Sequence, residues 1–103
     1  MSLLRINPLC AADLDAIWDF ISQDDSNAAD AFIVRLWKNF ELLAENPRIG
    51  RKQDDLSEGA RSSPEGNYII YYTLLDDGAE ILRVLHGAMD QRKAFRKRKQ
   101  PRK

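Results

Sequence analysis

Tyr68-Ile69-Ile70-Tyr71-Tyr72-Thr73-Leu74-Leu75 is an unbroken run of aromatic, β-branched and aliphatic residues; Asp76-Asp77-Gly78 interrupts it, and Ala79-Glu80-Ile81-Leu82-Arg83-Val84-Leu85 resumes it. Side chains of this kind fit a pleated, buried surface. Asp-Gly between two such runs is a hairpin signal, because its backbone accepts the twist of the flanking strands. A central strand over 68–75 and a returning strand over 79–85 therefore anchor a sheet. Just upstream, residues 56–63 read as a weaker strand, followed by a turn at Pro64-Glu65-Gly66-Asn67.

A sheet of this kind must bury one face against another layer, and the N-terminal half supplies it. Between residues 10 and 24, Leu14, Ile17, Trp18 and Ile21 recur at helical spacing, with Asp13, Asp15, Asp19 and Asp24 assigned to the other side. Asp13 and Asp15 are expected near the positive end of that helix's dipole. Asp24-Asp25-Ser26-Asn27 breaks the pattern, and Ser26 is the expected cap of a second helix. There Ala29, Ile33, Leu36, Phe40 and Leu43 form one stripe until Asn46-Pro47 stops it. Helices joined by so short a link lie antiparallel. Residues 3–6 are a further short strand, ended by Asn7-Pro8. The expected fold is α+β, in the order β-α-α-β-β-β: an antiparallel helical hairpin on a twisted, mostly antiparallel sheet of three to four strands.

The chain has 103 residues, 16 of them Lys or Arg and 16 Asp or Glu. That balance conceals two parts. Eight of the basic residues fall within 92–103, which has no acid, leaving residues 1–91 with 8 basic against 16 acidic side chains. A domain over 1–91 and a basic C-terminal tail over 92–103 are therefore expected. Such a tail suits solvation, nucleic acid, an acidic partner or the acidic body itself.

One Cys and one His are too few for a zinc or iron-sulfur site, and Cys10 has no disulfide partner within the chain. No metal and no cofactor are expected. The sequence contains neither an apolar run of spanning length nor a leader pattern, so the expected location is cytoplasmic, without membrane contact.

Catalytic patterns are sparse. The glycines are scattered and none precedes a phosphate-reaching lysine. Cys10, Ser62 and Ser63 could act as nucleophiles only with His86 as base. Arg61, Arg83 and His86 could gather near one sheet edge, His86 as acid or base and the arginines as cations for RNA cleavage. Strand alternation sets Arg83 and His86 on opposite faces, and no lysine occurs between Lys52 and Lys93, leaving little to grip a phosphate backbone. His86 as a hydrogen-bonded strand-end residue is the competing reading. Trp37 lies at the margin of its helix's stripe, suited to rim packing or to anchoring a partner.

The ordered set Ala12-Asp13-Leu14 with Ile17, Asn46-Pro47-Arg48-Ile49-Gly50, Leu56, Gly59 and Arg61, Gly66 with Tyr68, Ile70 and Tyr72, then Ile81 through Gly87 with Met89-Asp90 resembles the ParE/RelE superfamily of toxin-antitoxin toxins, in particular its ParE branch. The resemblance extends to about Phe95. It implies the β-α-α-β-β-β fold and the toxin of a ParDE-type type II system. RelE-like members cleave mRNA on the ribosome; ParE-like members poison DNA gyrase and are neutralised by a ParD-like antitoxin. Ala88 and Met89 stand where RelE-like toxins tend to carry basic residues, so the resemblance favours a nonenzymatic gyrase inhibitor, with a ribosome-dependent mRNA endonuclease as the alternative. It implies Arg61, Arg83, His86, Met89 and Asp90 as target-binding candidates, with Arg61, Arg83 and His86 catalytic under the alternative. Trp37 is the antitoxin-binding candidate. Operator DNA would be reached only indirectly, through the antitoxin.

Overall fold

In the computed structural model, which describes residues 2–99, the hairpin foreseen at the centre of the sheet is β4 (Tyr68–Leu75) and β5 (Gly78–His86). β3 (Ala60–Glu65) and the two-residue β2 (Arg51–Lys52) extend it on one side, and β1 (Leu3–Ile6) lies parallel to β5 on the other. The sheet has five strands in the order β1-β5-β4-β3-β2, slightly more than expected, with β1–β5 its parallel pairing. β2 is too short to leave an apolar pattern. Pro64, expected in a turn, is the fifth residue of β3. β2 pairs only with Arg61 and Ser62, so the missing proline N–H falls on uncovered edge.

Helix α1 (Pro8–Ser22) begins with Pro at its first position, and the Asn7 side chain accepts the Leu9 N–H. Helix α2 (Ser26–Glu45) is capped by Asp25 rather than by Ser26. Asp25 is extended, and one carboxylate oxygen accepts the N–H groups of Asn27 and Ala28, at 2.9 and 3.2 Å. Ser26 is instead the first helical residue. The two helices pack their stripes onto one face of the sheet, where Cys10, Leu14, Leu36, Phe40 and Leu43 meet Ile70, Tyr72, Ile81 and Val84.

One irregularity sets the use of β5. Tyr71 pairs with Arg83 and Tyr72 with Ile81, so Leu82 is a bulged, unpaired residue. Ile81 and Val84, three apart, thereby share the helix-side core, while Leu82 and Leu85 face the other side with Tyr71. That second face is covered by α3 (Gln91–Lys99), whose Phe95 is 1% exposed and stands edge-on to Tyr71 at 5.0 Å. The boundary drawn between residues 91 and 92 falls at the start of this helix, and Phe95 ties the beginning of the basic segment to the sheet. Residues 100–103 of that segment lie outside the described residues.

Candidate functional site: two fastened loops and the end of β5

Several of the residues singled out by their order and spacing fall into two hydrogen-bonded units. In the first, the Tyr72 hydroxyl donates to the Pro47 carbonyl and accepts the Gly50 N–H, both at 2.8 Å. Arg61 donates through Nη1 to the carbonyls of Arg48 and Gly50, at 2.9 and 2.8 Å. Asn46 to Gly50 is thus strapped to the sheet by β3 and β4. A Cβ on Gly50 would collide with the Tyr72 hydroxyl, which accounts for glycine there.

The second unit joins α1 to β5. β1 runs beside β5 only as far as Ile6 opposite Ile81. Past that point Asp13 takes the place of a neighbouring strand: Oδ2 accepts the Val84 N–H at 3.0 Å and the Arg83 Nε–H at 2.8 Å, while Oδ1 accepts from Arg83 Nη2 at 2.9 Å. A two-pronged guanidinium–carboxylate pair of this sort is strong and directional. The bond to Asp13 raises the Arg83 pKa above its ordinary value despite burial, which acts the other way. Asp13 is therefore a fastener beyond the first turn, not a residue answering the helix dipole. The missed signal was its spacing, since positions 10, 13, 14 and 17 form one helical stripe. An acid inside an apolar stripe calls for a partner.

His86 is exposed at the end of β5. Its Nδ1 accepts the Ala88 N–H at 3.0 Å, which leaves the proton of the neutral ring on Nε2. Its ring stands edge-on to Tyr68 at 5.1 Å. The turn beyond is pinned by Gln91, whose Nε2 donates to the carbonyls of His86 and Met89, both at 2.8 Å. Met89 is 48% exposed, and Asp90 accepts the Lys93 N–H as a cap for α3. Arg83, His86 and Met89 border one shallow depression with Asp13, Ile17 and Tyr68. Although β-pairing sets Arg83 with Tyr71 and His86 with Tyr68, both reach its rim.

Arg61 does not join them. It pairs with Tyr72, four positions along β4 from Tyr68 and on the strand beyond. Strand spacing places it about 16 Å from His86. Trp37 lies elsewhere again, 37% exposed on α2 and edge-on to Phe40 at 5.3 Å. Val34, one turn earlier, is exposed beside it, and the Trp18 indole N–H reaches across from α1 to Asp30 at 2.8 Å. Cys10 is buried, and burial together with the Asp13 charge pushes its thiol up to about 12, so it stays protonated at neutral pH. Among the described residues no group of three or more potential metal ligands gathers, and no helix is long and apolar enough to cross a membrane.

Fold and site define a small α+β domain whose charged side chains secure its own segments and whose apolar residues crop out along the helical hairpin. The sequence profile described as ParE toxin of type II toxin-antitoxin system, parDE, matches residues 4–91. Similar curated proteins include a Toxin ParE1 of Caulobacter vibrioides, 33% identical over 94 residues, covering 89% of this chain and 96% of that protein. A Toxin ParE1 of Mycobacterium tuberculosis is 31% identical over 87 residues, covering 82% and 89%. A solved structure titled as the chromosomal ParDE TA system from P. aeruginosa superposes with a TM-score of 0.70 over 84% of this chain and 96% of that one. Its identity is 22%, so that likeness concerns the fold. The chain belongs to the ParE family: it is a ParE-type toxin of a type II toxin-antitoxin system.

Proposed function

We propose that this toxin inhibits DNA gyrase by binding it, without catalysis of its own, and that a ParD-like antitoxin holds it inactive. The observation that carries this reading is the employment of Arg61 and Arg83. Cleavage of RNA through its 2′-hydroxyl needs cations where the phosphorane charge develops. Arg83 is committed to Asp13, Arg61 to backbone carbonyls far from His86, and no lysine lies between Lys52 and Lys93. The cations that border the same depressions as His86 are engaged by acids, Arg83 by Asp13 and Arg35 by Glu65. What the end of β5 offers instead is a pinned turn presenting His86, Met89 and Asp90, suited to a protein interface.

The antitoxin reading is supported by apolar surface on the hairpin. Phe20 is 65% exposed and Val34 52%, and Trp18 and Trp37 are partly exposed on the same two helices. Exposed apolar side chains of this sort suit an amphipathic helix of a partner. Contact with operator DNA would then belong to the antitoxin.

In a reconstituted assay, the toxin should abolish gyrase supercoiling and build up cleaved DNA, and antitoxin added beforehand should prevent both. Unimpaired gyrase together with cut mRNA on translating ribosomes would assign the endonuclease activity instead.

A further inference from the structure

We infer that α3 is a duplex-DNA-binding element that grips the phosphate backbone without reading sequence. This stands apart from the choice of gyrase as target. Residues 92–103 contain eight Lys and Arg and no acid, and four of these cations, Arg96 through Lys99, fall on the last turns of the helix. Lys93 is exposed, and Arg92 meets Asp55 in an exposed pair at 3.2 Å.

Three features select duplex DNA among possible polyanions. First, the apolar side of α3 is already spent. Ala94 and Phe95 pack with Tyr71, Leu82 and Leu85, and Phe95 is the segment's one aromatic residue. A single-stranded ligand is held largely by stacking on exposed aromatic rings, and this element offers none. Second, the anchors of a protein interface are aromatic rings and arginines seated in pockets, and α3's one ring is already buried. Duplex DNA is held instead by dispersed cations, because each neutralised phosphate releases condensed counterions. Third, half of the acids stand across the sheet from α3, although Asp54, Asp55 and Glu58 lie on the loop beside it. Eight of the sixteen acids lie between Asp13 and Glu45 on the helical hairpin, and α3 covers the opposite face. A duplex lying along α3 therefore has the sheet between it and the hairpin's acids. That polarity orients the toxin on DNA with the hairpin, and its exposed apolar side chains, turned outward.

The test is fluorescence anisotropy of the full chain against a labelled duplex of arbitrary sequence over a salt series. Log affinity should fall linearly with log salt; about six phosphate contacts would cost about a thousandfold between about 50 and 200 mM. R96Q/K97Q/R98Q/K99Q should keep its far-ultraviolet circular dichroism, flatten the slope by about 3 to 4, and weaken binding at least about tenfold. R5Q/R48Q/R51Q/K52Q, which removes four exposed cations from outside α3, should bind like the parent chain. No duplex binding at low salt, equal losses in the two variants, tighter binding to the separated single strand, or equal affinity for polyglutamate would each overturn the proposal, the last in favour of an acidic protein partner.

Discussion

Asp13 shows how one side chain can substitute for a strand. Beyond Ile6 the edge of β5 would leave the Val84 N–H unpaired, and a single carboxylate accepts it together with the Arg83 fork. Both side chains are mostly buried, at 13% and 17% exposure, so removing one strands the other. Asp13→Ala should cost about 3 kcal/mol in urea unfolding. Arg35→Ala, which breaks an ion pair whose guanidinium is 57% exposed, should cost less than about 1 kcal/mol. Cys10 lies beside this pair. Its folded thiol keeps its proton to about pH 12, whereas an ordinary cysteine thiol loses it near 9.0. The native protein should therefore resist a thiol reagent at pH 8 and react once denatured. From pH 9 upward the unfolded thiol ionises first, so this residue's contribution to stability falls as pH rises. Sequence reading reached the arginines but assigned them chemistry, because composition cannot reveal that a cation's donors are already engaged by a carboxylate or by carbonyls.

Elements with long apolar patterns were legible: the β4–β5 hairpin, α1, α2 and β1 stand where the sequence put them, within a few residues. What escaped depends on contacts distant in sequence. The Leu82 bulge leaves no trace in composition, yet it sorts β5 between two cores. α3 looked like a charged tail because its only large apolar residue is Phe95 among cations. That one ring closes the second core against Tyr71. Phe95→Ala should cost about 3 kcal/mol and should raise hydrogen exchange through α3 selectively, leaving the α1–α2 layer protected. Exchange that stays slow in α3 would show that the helix is held by something other than this ring. At the other edge of the sheet, β1 approaches β5 so closely that a Cβ on Gly78 would collide with the Leu3 carbonyl. Gly78→Ala should accordingly loosen β1, read as faster exchange at Leu3 to Ile6.

At the scale of the whole chain, the even count of charges averages an acidic part over 1–91 and a basic segment over 92–103, and the sheet stands between the acidic hairpin and α3, where that segment begins. The proposed gyrase target was legible only through resemblance, because the pinned turn at the end of β5 presents exposed surface rather than a recognisable chemical motif. Titration of purified gyrase with the toxin tests this most directly, following supercoiling and cleaved DNA together. The account predicts that supercoiling is lost in proportion to toxin bound, with cleaved DNA rising alongside and saturating once gyrase is fully occupied. Full gyrase activity at a large excess of folded toxin, while mRNA is cut on translating ribosomes, would contradict it.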